Sequence, residues 1–324
     1  RPQARARERA WPAATISQAQ KRFAGPGNSA RLARVSEPVN YWDSIAAHSR
    51  VEEIWGSHPL VRARINRRIS GDPHTWTTSW LAKRLEGMPR LRETVSIGCG
   101  MGHFERDLVR LDLVDRITGI EISPVCVAEA REAAQAAGVQ ERITYRCADA
   151  WEELARLRDL DAIFFHASLH HFDRLAEMAV LLRRALAPGG LLYLDEYVGP
   201  SRDEWRLVDE LRWNWHYYHL PKSVRRVGRI RPPINYEDPT EAVASSDILP
   251  AIAREFDILE QRDYGGNLLA VIYANLHRPD GNPPSPQADF DAAVARLLDA
   301  EDALLAAGQL SFHAVVLATP KSER

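Results

Sequence analysis

The chain has 324 residues, of which 45% are hydrophobic and 27% charged, with a net charge of −2. This is enough apolar material for a sizeable core in one large domain or two small ones, and the balanced charge gives no sign of a general polyanion binder. No stretch approaches the ~18 consecutive apolar residues of a membrane span.

Residues 1–10 (RPQARARERA) lack the apolar core of a signal peptide, so the N-terminus reads as trimmed or tagged. Residues 1–40 are rich in Arg, Ala, Pro and Ser and read as a loosely ordered arm. Over 41–90, Ile45, Val51, Ile54 and Trp55, then Trp76, Trp80, Leu81 and Leu85, recur at three- and four-residue spacing, which predicts a helical N-terminal cap. The rest of the chain, 91–324, reads as one domain. It begins with a short buried strand at 94–97 and a helix from His103 to Leu111 with Phe104, Leu108 and Leu111 on one face. A second strand at 117–122 runs into Ser123 and Pro124, an N-cap followed by a proline at the first helical position, and that helix stops at Gly138.

Strands at 143–149 and 162–166 follow, the latter apolar on both faces. A helix at 173–187 ends in LAPGG (186–190) ahead of a fifth strand at 191–197. This alternation predicts a parallel α/β sheet wound by right-handed crossovers. It lapses over 200–250, an insertion with an aromatic helix at 201–218 and a stretch broken by Pro221, Pro232, Pro233 and Pro239. A strand at 256–264, helices at 266–277 and 289–307, and a last strand at 312–319 complete the same sheet. Cys99, Cys126 and Cys147 are scattered, which suits reduced thiols in a cytoplasm.

Chemistry concentrates after the first strand. Gly98, Gly100 and Gly102 alternate through SIGCGMG (96–102), so the backbone turns without a Cβ clash and a ligand can come close to the main chain. Such loops serve NAD, FAD and nucleosides alike. Glu121, roughly 20 residues on at the end of the second strand, is placed to accept two hydrogen bonds from ribose hydroxyls, which a dehydrogenase also needs. Asp149, at the end of the third strand before Ala150 and Trp151, can accept from an exocyclic adenine amine while its neighbours pack on the ring. Together these describe a pocket for adenosine with no second phosphate-bearing half.

Here the sequence resembles the class I S-adenosylmethionine-dependent methyltransferases. The resemblance runs over residues 94–198: SIGCGMG as the cofactor loop, GIEIS (119–123) with the ribose acid, CADAW (147–151) with the adenine acid, HASLHHF (166–172), and LAPGGLLYLDEY (186–197). It implies a Rossmann-like, doubly wound, seven-stranded sheet whose last strand, FHAVVLAT, is antiparallel, with the helical N-terminal cap and the insertion after strand five. It implies S-adenosyl-L-methionine as cofactor, held by Ser96, Gly98, Cys99, Gly100, Gly102, Glu121, Ile122, Asp149, Ala150 and His166. More narrowly, EYVGPSR (196–202), DPTEAV (238–243) and DYGGNLL (263–269) resemble a bacterial subgroup of largely uncharacterised methyltransferases with a helical N-terminal extension. One departure stands out: many members carry an acid two residues before the first glycine, and here that residue is Ser96, with Glu105 in the next helix as a substitute.

His170 and His171 are candidate general bases, because a neutral imidazole titrates near neutral pH, although this pattern also serves to start a helix. Glu196 and Tyr197 end the fifth strand on the side where open α/β sheets bind ligands. Trp76 and Tyr217 could wall an acceptor pocket or fill local cores. Arg225 and Arg226 could fork onto a substrate phosphate or carboxylate, or simply face solvent. The expectation is methyl transfer to an oxygen or nitrogen of a small-molecule acceptor, without a metal, a membrane or nucleic acid, in a chain for which a homodimer is an allowed assembly. A nucleic-acid methyltransferase, a non-catalytic cofactor-binding partner and a nicotinamide dehydrogenase are the alternatives.

Overall fold

The computed structural model describes residues 55–322, so the expected arm at 1–40 and the first part of the cap lie outside the described residues. The glycine-flanked apolar runs form β1 (Leu91–Ile97), β2 (Val114–Glu121), β3 (Ile143–Cys147), β4 (Leu160–His166), β5 (Leu186–Tyr197), β6 (Phe256–Gly265) and β7 (His313–Pro320). They make one seven-stranded sheet in the order β3-β2-β1-β4-β5-β7-β6. Pairings among β1 to β5 are parallel, and β7 runs antiparallel to both β5 and β6, so it alone is reversed.

Side chains alternate between the two faces of a strand, and the core divides accordingly. Ala162, Phe164 and Tyr193 join the cluster that contains Val61, Ile65, Phe104 and Leu108. Ile163, Phe165, Leu192 and Leu194 join the one that contains Met178, Leu182 and Ile252. On the first face lie α1 (Pro59–Ser70), α2 (Thr77–Arg84), α3 (His103–Arg110) and α4 (Pro124–Ala136). On the second lie α5 (Ala150–Arg156), α6 (Leu175–Ala185) and, beyond the insertion, α8 (Ile248–Glu255), which follows α7 (Leu207–Tyr218). Ser123 caps α4, its hydroxyl accepting from the Cys126 amide at 3.1 Å, with Pro124 at the first helical position as the sequence predicts.

Several element boundaries differ from the sequence reading: β2 starts at Val114 and α7 only at Leu207, and three further differences have a visible cause. β1 starts at Leu91, three residues early, because Arg92 and Glu93 are exposed and interrupt the apolar pattern. β5 already begins at Leu186, so LAPGG is the strand's irregular entry, where pairing with β4 shifts register. The helix expected at 266–277 is only α9 (Leu269–Tyr273): Gly265 and Gly266 adopt φ of 101° and 93°, and the buried Glu301 carboxylate accepts the amides of Gly266, Leu268 and Leu269. Glu301 belongs to α10 (Gln287–Ala306) and also receives Arg64 of α1 at 2.8 Å, while Arg64 and Arg68 both reach Asp302 at 2.6 Å. The N-terminal helices are therefore fastened to α10, with buried partners on both sides of the contact.

Candidate active site

The chain bends sharply between β1 and α3. Gly98, Gly100 and Gly102 have φ of 65°, 50° and 70°, a region that side chains disfavour. Gly98 and Cys99 both donate to the Ile120 carbonyl, at 2.8 and 3.2 Å, tying the loop to the end of β2. A Cβ on Gly98 would meet Ser168 at 2.6 Å, and one on Gly102 would meet the Tyr145 hydroxyl at 2.1 Å. At Gly100 nothing lies within 4 Å. Two glycines are thus required by the protein's own packing, whereas the middle one faces open space where a ligand can rest on the main chain. Burial pushes the Cys99 thiol well up, reinforced by Glu105 and Glu121.

Glu121 and Asp149 end β2 and begin the turn after β3, on the same carboxyl edge. Glu121 accepts the Gly100 amide at 2.9 Å and the Ile122 and Ser123 amides at 2.8 and 3.0 Å. A carboxylate has about four acceptor positions, so one is left after three backbone bonds. Asp149 caps α5 through Oδ1, which accepts from Trp151 and Glu152 at 2.8 and 3.1 Å. Ile122 is half-exposed beside them, and Ala150 opens α5.

Ser96 is 1% exposed, and Glu105, from the first turn of α3, is fully buried with no hydrogen-bond partner on either carboxyl oxygen. Burial raises the Glu105 pKa, and the neighbouring Ser96 hydroxyl opposes the rise. His166 ends β4 half-exposed, its ring stacked on Phe104 with centroids 5.0 Å apart.

The catalytic candidates after β4 converge, but away from solvent. Glu196 Oε1 accepts the Ser168 and Leu169 amides, each at 2.7 Å, and Oε2 lies 2.8 Å from His170 Nδ1. His170 and Glu196 are 7% and 1% exposed, and His171 Nδ1 sits 3.1 Å from the Thr240 hydroxyl of the insertion. Burial disfavours a charge on His170, yet the Glu196 carboxylate keeps its pKa above the ordinary value. At His171, burial and then His170 hold the pKa well below it. The Tyr197 hydroxyl donates to the Pro200 carbonyl at 2.9 Å.

The acid on the opposite face of β5 from Glu196 is Asp195, beside the half-exposed His166. Side chains alternate along β5, so Asp195 shares Tyr193's face and Glu196 shares Leu194's. Asp195 pairs in register with His166, whose Nε2 lies 3.7 Å from Oδ2, and it accepts the Tyr264 hydroxyl at 2.7 Å. Arg62 of α1 faces the same pair: burial lowers its pKa while Asp195 and Tyr264 oppose this. The Arg62 guanidinium sits 4.6 Å above the ring of Trp76, which is 54% exposed.

Sequence reasoning missed Arg62, Asp195 and Tyr264, which come from three distant segments. Only the strand alternation in LDEY could have separated Asp195 from Glu196. Tyr217 is fully buried, its hydroxyl donating to the Val227 carbonyl at 2.8 Å, so it belongs to the insertion's core and does not wall a pocket. Arg225 bridges to Leu276 through the backbone, and the Arg226 side chain donates to the Ala274 carbonyl, which places both arginines beside α9.

Residues 95–194 match the protein family described as "Methyltransferase domain". Over 124 residues the chain is 33% identical to the 27-O-demethylrifamycin SV methyltransferase of Amycolatopsis mediterranei, covering 37% of this chain and 45% of that protein. It is 32% identical over 124 residues to an uncharacterised Synechococcus protein, covering 38% of this chain and 29% of that one. The chain therefore spans less than half the length of these curated relatives. Among solved structures, phosphoethanolamine N-methyltransferase 2 of Haemonchus contortus, in complex with S-adenosyl-L-methionine, aligns with a TM-score of 0.48 at 15% identity, covering 89% of this chain and 60% of that one. The matched segment carries the glycine loop, both acids and most of the first five strands of a sheet whose last strand is reversed, and it is similar to the methyltransferase domain family.

Proposed function

We propose that the chain transfers a methyl group from S-adenosylmethionine to an oxygen or nitrogen of a small-molecule acceptor. The observation that carries this reading is the open space over Gly100, flanked by the carboxylates of Glu121 and Asp149. The donor set fits the cofactor: Asp149 Oδ2 for the adenine amine, with Ala150 against the ring; the remaining acceptor position of Glu121 for a ribose hydroxyl, beside Ile122; and Ser96 with the loop for the amino-acid end. When bound, the cofactor supplies an electrophilic methyl on a sulfonium. The protein's part is to hold the nucleophile in line, exclude water and accept a proton.

In this reading the proton goes to the pair of His166 with Asp195, the latter held by Tyr264. His170, His171, Glu196 and Tyr197 are then positioning residues that fix the turn after β4, since His170 and Glu196 are buried against each other and His171 and Tyr197 are tied to Thr240 and Pro200. Trp76 and Arg62 form the outer wall. The rifamycin methyltransferase acts, by its name, on a demethylrifamycin, which supports a natural-product acceptor. No helix among the described residues is long and apolar enough to cross a membrane, and the three cysteines form no disulfide, which supports a cytoplasmic site of action.

The test is calorimetric binding of S-adenosylhomocysteine and NADH, followed by incubation of the protein with methyl-labelled cofactor and fractionated metabolites, with mass spectrometry of the products. Binding of S-adenosylhomocysteine and a labelled small molecule are expected; preference for NADH overturns the reading. Asp149→Ala is expected to weaken S-adenosylhomocysteine binding by about 1–3 kcal/mol, the cost of leaving one polar group of the bound ligand unpaired.

A further inference from the structure

The turn after β4 meets the insertion across a group of imidazoles and carboxylates that the proton route above does not use. His170 and His171 lie in the turn Leu169–His171, and Thr240 of the insertion follows His171 by 69 positions. One potential ligand atom from each of His170, His171 and Glu241 lies within 4.8 Å of the other two. The two rings have centroids 4.2 Å apart, and His170 Nε2 is 3.8 Å from Glu241 Oε1. Donor atoms about 2.1 Å from a tetrahedral zinc ion stand roughly 3.4 Å from one another, so the observed separation is close to that of a loaded site.

Two further observations point to a cation there. Asp238 is fully buried, and its Oδ2, 3.5 Å from His171 Nδ1, has no hydrogen-bond partner, although most buried polar side-chain atoms are paired. Its Oδ1 is already taken by the amide and hydroxyl of Thr240, at 2.8 and 2.6 Å. His170 is held through Nδ1 by the Glu196 carboxylate at 2.8 Å, which turns Nε2 towards Glu241. A carboxylate on the far nitrogen is how proteins orient a metal-binding imidazole and raise its basicity. Arg202, whose charge reaches Glu241, donates instead to the carbonyls of Asn235, Asp238 and Pro239.

We propose that His170, His171 and Glu241, with Asp238 beside them, bind a divalent transition-metal ion of the zinc class, which clamps the insertion to the turn after β4. Two imidazoles among the donors favour such an ion over magnesium or calcium, which take oxygen ligands. Glu241 is the entry side, its side chain 36% exposed, and His170 and Glu196 close the inner side. Such an ion needs no bound nucleotide, so the site stands whether or not the cofactor reading does. It replaces the metal-free expectation from the sequence, whose spacing cannot show that two distant segments meet.

The test is titration calorimetry of the full chain, freed of any histidine tag and stripped with a chelator, against zinc and magnesium chlorides. One equivalent of zinc is expected to bind, and magnesium not at all. Glu241→Gln keeps the shape of the side chain and removes the ligand's charge. Loss of an outer partner of a metal-bound histidine costs about 10–100-fold in metal affinity, so loss of a ligand itself is expected to weaken zinc binding by about a hundredfold. Zinc at a concentration that saturates only wild type should raise the melting temperature of wild type and not of the variant. X-ray absorption of the zinc-loaded wild type is expected to show two imidazoles and oxygen, which tests the ligand set even if the variant does not fold. The assignment is overturned if wild type binds no zinc, if Glu241→Gln binds it as tightly, if magnesium binds equally well, or if the absorption spectrum shows sulfur or fewer than two imidazoles.

Discussion

Glu105 and Asp195 show how single residues acquire meaning only from their surroundings. Glu105 costs the fold stability: burial raises its pKa, so the native state holds the proton more tightly than the unfolded chain. By linkage, its contribution is most favourable below the unfolded pKa, about 4.3, and is lost as pH rises through the native value. Glu105→Gln removes that loss. Its melting temperature should approach that of wild type near pH 4 and exceed it increasingly towards pH 8; thermal scans across that range check the sign, and a variant less stable at pH 8 contradicts it. The sequence placed an acid near the loop but could not show that it has no partner. That fact depends on Arg106 and Tyr145 pointing to the Met101 and Gly102 carbonyls, and no spacing encodes it. Similarly, LDEY contains two adjacent acids, and only the pairing of β5 with β4 shows that Asp195 meets His166 while Glu196 is enclosed with His170.

At the level of the loop and its flanking strand and helix, the three glycines perform two different tasks, and substitution separates them. Gly102→Ala adds a Cβ 2.1 Å from a buried tyrosine hydroxyl at a φ of 70°. Overpacking and backbone strain together should cost about 2–5 kcal/mol in urea unfolding. Gly100→Ala meets no atom and should cost about 1–2 kcal/mol from its positive φ alone. Nevertheless it should be the more damaging of the two to S-adenosylhomocysteine affinity in the folded protein, because its methyl projects into the ligand's space; equal effects on binding and stability in both variants would refute the distinction. These elements were legible because a buried strand, alternate glycines and an amphipathic helix each leave a periodic trace. Element ends were less so. Exposed Arg92 and Glu93 hid the start of β1, and α9 was shortened by Glu301, a residue more than thirty positions away along the chain.

Across the whole molecule, the contact between α1 and α10 joins distant parts of the sequence. Arg64 and Glu301 are 6% and 0% exposed, and Glu301 also holds three backbone amides. Removing one partner of a buried pair leaves the other uncompensated. Glu301→Ala should therefore destabilise the protein by about 3–5 kcal/mol, the range for breaking such a pair. Fluorescence and far-UV circular dichroism should fall together in one transition, since the cap helices and the sheet share one apolar cluster; separated transitions would show that the cap melts by itself. The parallel part of the sheet could be foreseen from repeated strand–helix alternation, and the reversed last strand from the resemblance. The grouping of His166, Asp195 and Tyr264 could not, because these residues are brought together only by tertiary folding.

The reversed strand has a consequence for synthesis. β7 lies between β5 and β6, and among the described residues β6 pairs only with β7. A ribosome delivers residues 256–265 well before 313–320, so during that interval β6 has no hydrogen-bonding neighbour and β5 presents an open edge. Unpaired edges invite association with other chains. The nascent protein is thus most exposed to aggregation late in translation, after its nucleotide edge is already assembled, and a pause before residue 313 would prolong that exposure.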